Sequence, residues 1–215
     1  MLSFETSLSF FGISTLLALA PGPDNIFVLT QATLYGWRAG LFIVFGLCTG
    51  LIGHTLAVTL GLATLLAASP SLFFIIKLLG AIYLIYLAWG SWSMSRQAAH
   101  PSLATSYTQR TTTEASTPKA RTLYTRGIIM NLSNPKVTLF FLALLPQFVQ
   151  ADTQVSIQFI SLGLLFMLAT LLVFGSLSMT AGWFGKRLLQ TARSQRIMHQ
   201  LAALIFVLLA IKIII

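Results

Sequence analysis

The sequence predicts an all-α integral membrane protein with six transmembrane helices, arranged as two inverted three-helix repeats. Of its 215 residues, 56% are hydrophobic and only 8% are charged, whereas a soluble domain carries about 25% charged residues. Residues 39–76 and 153–185 contain no Asp, Glu, Lys or Arg, and each run exceeds the roughly 20 residues that cross a bilayer once. Three apolar stretches lie on each side of one basic loop, and an odd number of spans inverts the second half relative to the first.

Charged residues and Pro/Gly clusters divide the apolar sequence into six predicted spans. Their bounds are 4–33, 40–67, 72–94, 124–148, 156–184 and 197–215. The second and third spans share one uncharged run, but Pro70 disfavours helix at the residue before it and predicts a tight turn at 68–71. Residues 1–94 and 124–215 would form the two repeats, joined by a polar cytoplasmic loop at 95–123.

The basic residues predict the orientation of the chain. Ten of the 13 Lys and Arg residues fall in or beside the segments that follow spans one, three and five, and short cytoplasmic segments are enriched in these residues. We therefore expect a multi-pass protein of a bacterial cytoplasmic (inner) membrane with both termini on the extracytoplasmic side. The net charge of +9 is explained by this distribution, and we expect no nucleic-acid partner.

Proline and glycine interrupt the first predicted span of each repeat. Span one contains Pro21-Gly22-Pro23-Asp24-Asn25, and span four contains Asn131-Leu132-Ser133-Asn134-Pro135-Lys136. Proline removes a backbone donor and clashes with the preceding turn. The freed groups persist in a membrane only where protein or trapped water satisfies them, so both breaks are expected to face a cavity. Spans one and four are therefore predicted to be interrupted helices.

Two opposite charges stand at these breaks. Counting residues from the basic side puts Asp24 and Lys136 each about 14 to 15 Å deep in a hydrocarbon core roughly 30 Å thick. An unpaired charge at that depth is costly, so we expect the two side chains to approach one another where the repeats meet. A buried ion pair that only locks span one to span four is the structural alternative, and Asp24 could also simply cap the helix that follows it.

Further polar residues are candidates for the same pathway. Asn131 and Asn134, three residues apart, would present their amides on one helix face. His54 is either a proton relay or a lone polar residue bonded to a neighbouring helix. The predicted substrate and ion pathway comprises Pro21, Gly22, Pro23, Asp24, Asn25, Asn131, Asn134, Pro135 and Lys136, with His54 as an additional member.

These motifs resemble the LysE/RhtB family of bacterial amino-acid exporters. That family places a P-G-P-[DN] element in the first span and an N-x-x-N-P-K element in the fourth, which match residues 21–24 and 131–136. The resemblance also covers Phe140-Phe141, residues 146–148 and the loop that begins at Tyr35. It implies efflux of amino acids or related small metabolites by a secondary transporter driven by the proton motive force. Because Lys136 would already neutralise Asp24, a neutral amino acid is the favoured substrate.

The expected mechanism is alternating access. The substrate carboxylate would bind Lys136 and amides freed at a helix break, its amino group would bind Asp24 or helix carbonyls, and the two halves would rock around the site. Movement of Lys136 away from Asp24 would let Asp24 take up a proton. Protons, a small-molecule substrate and the lipid bilayer are the expected partners, and small residues in the spans hint at a homo-oligomer.

Other functions are less well supported by the sequence. The zinc-protease motif H-E-x-x-H is absent, a membrane aspartyl protease would need a second intramembrane acid, and a convincing Gly-x-Ser-x-Gly element is missing. Cys48 is the single cysteine, which excludes a dithiol carrier and a cysteine metal cluster. We therefore expect neither an enzyme nor a cofactor. An uncoupled channel or a membrane scaffold stays open.

Overall fold

The protein is described by a computed structural model that covers residues 2–62, 70–97, 118–150, 154–190 and 192–214. Within these ranges the chain is helical and contains no β-strand, which confirms the predicted all-α class. The α-helices are α1 (Phe4–Leu19), α2 (Pro23–Tyr35), α3 (Trp37–Ala57), α4 (Pro70–Gln97), α5 (Ala120–Leu132), α6 (Pro135–Leu139), α7 (Val155–Gln190) and α8 (Ala192–Ile214).

Both predicted interruptions are real helix breaks. The axes of α1 and α2 meet at 64°, and those of α5 and the helical segment 135–148 meet at 48°. Gly22 is extended, with φ −155° and ψ 177°, and Pro23 opens α2, where the missing amide hydrogen costs nothing. Pro135 opens α6 in the same way. The proline positions therefore fix where each helix ends and the next begins.

The segment after the second break is irregular. Residues Phe140–Leu144 form a π-helical turn and Leu145–Phe148 a 3₁₀ turn. A second π-helical turn, Val58–Leu62, ends the α3 segment. Such turns are uncommon and recur at functional sites.

The number of membrane spans depends on how the bent pairs are counted. Four helical segments of the described chain are long and apolar enough to cross a bilayer: Trp37–Gly61, Phe74–Arg96, Val155–Ala181 and Gln195–Ile214. If each bent pair is one further span, the total rises to six by length and composition. Large apolar side chains such as Phe4, Leu60 and Trp89 lie on the outside of the molecule, as a lipid-facing surface requires.

The helices pack around a core shared by both halves of the chain. Helix α3 packs against α5 and α7, helices α1 and α2 pack against α7, and α4 packs against α8. The backbones of α3 and α5 approach so closely that a Cβ atom on Gly46 would overlap the Tyr124 carbonyl and Gly127. The G-x-x-x-G pattern of Gly46 and Gly50 thus serves helix packing.

Several helix boundaries differ from those predicted from the sequence. Helix α5 begins at Ala120, so the polar loop ends four residues earlier than its predicted end at residue 123, and α4 runs to Gln97. Helix α7 continues to Gln190 and α8 begins at Ala192, which makes the basic segment after span five mostly helical. Residues 98–117 of the predicted loop, and residues 68 and 69 of the predicted turn, lie outside the described residues.

Candidate functional site

The first break frees backbone carbonyls that side chains then satisfy. In a continuous helix the amide of residue 21 would donate to the Leu17 carbonyl, but Pro21 has no amide hydrogen. Instead, Lys136 Nζ donates to the carbonyls of Leu17 at 3.3 Å and Ala20 at 3.2 Å. Asn25 Nδ2 donates to the Ala18 carbonyl at 2.9 Å. A cation from the other half of the chain therefore occupies the carbonyl end of α1, where the helix dipole favours positive charge.

The second break is closed mostly by its own residues. Pro135 cannot donate to the Asn131 carbonyl, which accepts from the Asn134 amide at 3.0 Å and contacts His54 Nε2 at 3.2 Å. Because a carbonyl only accepts, His54 Nε2 carries the proton. Asn134 Oδ1 accepts from the Lys136 amide at 3.0 Å and caps α6. His54 therefore bonds from α3 to a neighbouring helix, and its role as a proton relay stays a prediction.

A direct bond joins the two breaks. Asn134 Nδ2 donates to Asp24 Oδ2 at 2.6 Å, and all three of Asp24, Asn134 and Lys136 are buried, with 4%, 5% and 7% of their surfaces exposed. The second break therefore contributes two polar side chains to the first. Asn134 reaches from the second break to Asp24, and Lys136 reaches from the second break to the carbonyls of the first.

Asp24 and Lys136 approach one another as expected, but without a direct bond. The two side chains line one cavity, but they make no direct hydrogen bond with each other. Each is held by a neutral partner instead, because the broken backbone offers Lys136 two carbonyls and Asn134 offers Asp24 an amide. The charges are near neighbours across the cavity rather than a contact pair.

The cavity between the breaks is small. Its free volume is about 10 Å³, room for about one water molecule and far below the roughly 300 Å³ or more of a typical ligand site. Asp24, Asn131 and Lys136 line it together with Thr170, Phe166 and Phe174 of α7. Sequence reasoning missed these α7 residues, since a threonine and two phenylalanines in an apolar run carry no distinguishing signal.

Unpaired oxygens distinguish this site from the rest of the core. Four buried side-chain oxygens in the described residues have no hydrogen-bond partner: Asp24 Oδ1, Asn25 Oδ1, Gln31 Oε1 and Asn131 Oδ1. Buried polar atoms are normally paired, so each exception needs an explanation. Asp24 and Asn131 both line the cavity, and Asn131 Oδ1 lies against Gly50 of α3.

An aromatic cluster extends from the cavity wall to a second pocket. Phe166, on the cavity wall, packs on Phe140 at 5.0 Å between ring centroids, and Phe10 packs on both Phe140, at 5.9 Å, and Phe148, at 5.1 Å. Phe148 also borders an open pocket of about 260 Å³ near Glu5 and Lys212. The rings therefore form a continuous series of contacts from the cavity wall to the edge of that pocket.

Comparison with known proteins identifies the family. The sequence profile described as LysE type translocator matches residues 15–215, nearly the whole chain including both breaks. The chain belongs to the LysE type translocator family. This confirms the resemblance drawn from the two proline motifs.

Relatives of this translocator support the same placement. The Uncharacterized membrane protein YrhP of Bacillus subtilis is 30% identical over 207 residues, which cover 95% of this chain and 96% of the relative. The Homoserine/homoserine lactone efflux protein of Salmonella typhimurium is 36% identical over 162 residues, 75% of this chain and 73% of that protein. No solved structure matches the chain. The translocator is a multi-pass membrane protein, and its family makes transport a better explanation than catalysis.

Proposed function

We propose that this translocator exports amino acids or related small metabolites from the cytoplasm, coupled to protons. The observation that carries the proposal is the meeting of two broken helices around a cavity lined by Asp24 and Lys136. A scaffold would not require charged side chains and unpaired acceptors at both breaks. The name of the Salmonella typhimurium relative supports an exported substrate that carries an amino group.

Two inverted repeats, residues 1–94 and 124–215 joined by the loop 95–123, would supply the moving parts. Exchange of the halves would carry the α3–α5 contact onto the α7–α1 contact, and would return the α3–α7 and α4–α8 contacts to themselves. All four contacts are present, which supports a two-fold arrangement. Each broken span would then occupy the equivalent place in its own half.

The small volume of the cavity supports alternating access. A volume of about 10 Å³ cannot hold an amino acid, so the halves have to separate before substrate enters. Rocking that opens the basic, cytoplasmic side admits substrate, and movement of Phe10, Phe140 and Phe166 opens the side that carries both termini. We assign proton exchange to Asp24, because a change in the distance to Lys136 changes how readily that carboxylate holds a proton.

The pathway residues divide by task in this proposal. The helices are broken by Pro21, Gly22, Pro23 and Pro135. The broken ends are held by Asn25, Asn134 and His54. The cavity is lined by Asp24, Asn131 and Lys136. The location we propose is a bacterial cytoplasmic membrane with both termini outside. The basic residues near Arg38, Arg96 and Arg126 support that orientation.

Export from reconstituted vesicles tests the function. Liposomes that contain the purified protein are loaded with an amino-acid mixture, and released species are identified by mass spectrometry with and without an imposed proton gradient. A coupled carrier releases a restricted set of amino acids, faster with the gradient, and exchanges external for internal substrate. Release no faster than from protein-free liposomes would contradict transport, and gradient-independent release without counterflow would indicate an uncoupled channel.

A further inference from the structure

We propose that the open pocket near Glu5 and Lys212 binds the headgroup of a phospholipid that carries both a phosphate and a primary ammonium group, as phosphatidylethanolamine does. The pocket shares no lining residue with the cavity between the helix breaks. Its ligand is a component of the bilayer rather than a transported compound, so the site stands apart from the proposed export.

The pocket lies where α1 and α8 reach the edge of the membrane. Lys212 is in the last turn of α8, 16 residues beyond Arg196 of the basic side, which corresponds to about 24 Å of helix in a hydrocarbon core roughly 30 Å thick. Glu5 is in the first turn of α1, and both side chains are exposed. Long charged side chains near helix ends reach the polar headgroups. The pocket is therefore at headgroup level, on the side that carries both termini.

Two opposite charges line this pocket without contacting each other. Glu5 and Lys212 border the same space of about 260 Å³, and among the described residues neither has an ion-pair partner. Lys212 Nζ lies 4.6 Å from the centre of the Phe148 ring, which favours an ammonium group at this edge. Thr6 and Ser9 add hydroxyl groups to the lining. The pocket thus complements a ligand of both signs, with phosphate oxygens on Lys212 and an ammonium group donating to Glu5.

Apolar surface leads from the pocket into the membrane along both helices. Helices α1 and α8 contact each other, and residues three or four apart share a helix face. Leu208, one turn before Lys212, is 55% exposed, and Leu8, three residues after Glu5, is 60% exposed. Gly12, one turn further along α1, has open space where a side chain would be. A lipid fits both parts of this surface, whereas a small soluble ligand uses the pocket alone.

Headgroup chemistry gives the site a preference that can be measured. Lys212 can bind the phosphate of any phospholipid. A choline headgroup has no N–H to donate to Glu5, and a glycerol headgroup has no cation, so the ethanolamine headgroup alone of these three donates to Glu5 and binds Lys212 together. We expect a preference of about two- to fivefold for ethanolamine, the size of one exposed charged contact.

Lipid competition tests the site. The purified protein in detergent is mixed with equal amounts of dioleoyl phospholipids that carry ethanolamine, choline or glycerol headgroups, and native mass spectrometry measures which lipids stay bound. Lys212→Gln should weaken binding of all three, and Glu5→Gln should remove the preference for ethanolamine over choline. Lys77→Gln changes a lysine of α4 that does not line the pocket, and as the matched control it should keep the preference.

The proposal has clear contrary outcomes. Equal retention of the three lipids by the unmodified protein, or an unchanged preference in Glu5→Gln, would overturn it. Millimolar serine should leave the bound lipid in place, and release of the ethanolamine lipid by serine would instead assign the pocket to a transported amino acid. Export by Glu5→Gln in vesicles should stay near that of the unmodified protein, so loss of lipid preference and loss of transport are separate results.

Discussion

Both helix breaks leave backbone carbonyls without their usual amide donors, and different groups satisfy these carbonyls at the two breaks. The first break contains two prolines and a glycine, bends by 64°, and relies on Lys136 from the other half to satisfy its carbonyls. The second break has one proline, bends by 48°, and is closed by the Asn134 cap and backbone, with His54 added. More missing donors in the first break require an external cation. The first break therefore depends more than the second on a side chain from the other half of the chain.

The largest effect is expected when the ammonium group that Lys136 contributes to the first break is removed. Lys136→Met keeps the length of the side chain but leaves the Leu17 and Ala20 carbonyls unpaired, at about 1 to 3 kcal/mol each. We expect export to be abolished and the unfolding temperature in detergent to fall. Lys77→Met on α4 is the matched control, and it should retain export. Equal unfolding temperatures for the two variants would mean that the first break does not depend on Lys136.

The second largest effect is expected when the Asp24 carboxylate is changed. Asp24→Asn preserves shape but removes the charge that, in our proposal, takes up the exchanged proton. Export should fall about 10- to 100-fold, the loss of a charge-assisted hydrogen bond, while the protein still inserts into membranes. Glu5→Gln removes another acid outside the cavity and should have little effect. Unaltered transport by the Asp24 variant would remove Asp24 from the mechanism.

A smaller effect is expected when only the link between the breaks is changed. Asn134→Asp keeps a good helix cap, so α6 should still begin at Pro135, but it replaces a donor to Asp24 by a second carboxylate. We expect about a tenfold loss of export with helix content retained by circular dichroism, because like charges in contact repel at low dielectric. Normal export would show that Asn134 serves its own helix alone.

The smallest effect is expected at His54. Its bond supplements an Asn131 carbonyl that already accepts from the Asn134 amide, so His54→Gln should cost about 0.5 to 1.5 kcal/mol of stability and leave proton coupling in place. Export measured with and without a proton gradient checks this. Loss of the gradient response with counterflow preserved would assign His54 the proton-relay role instead.

The helix breaks could be predicted from sequence because proline acts locally. Pro21, Pro23 and Pro135 remove donors whatever surrounds them, and counting residues from the basic side correctly brought Asp24 and Lys136 to one cavity. The hydrogen-bond partners of Asp24 and Lys136 were not predictable from the sequence. Lys136 binds backbone carbonyls and Asp24 binds Asn134, and these contacts depend on how the halves pack, which the spacing of charges does not specify.

The residues of α7 that line the cavity could not be predicted from the sequence either. Thr170 and Phe166 sit in a charge-free run where every position is apolar or weakly polar, so helical periodicity cannot tell a lipid-facing residue from a cavity-facing one. The π-helical turn at Phe140–Leu144 likewise leaves no compositional mark. Local chemistry thus predicted the breaks, while tertiary packing decided what faces them.

Access of water to the cavity tests the central claim most directly. In a Cys48→Ser background, Thr170→Cys would place a thiol on the cavity wall of an otherwise cysteine-free chain, to be labelled by a membrane-impermeant reagent from either side of reconstituted vesicles. We predict labelling from both sides, with saturating substrate on one side slowing it. A thiol that reacts from neither side, in a protein that still exports, would contradict a transport site at the junction of the two breaks.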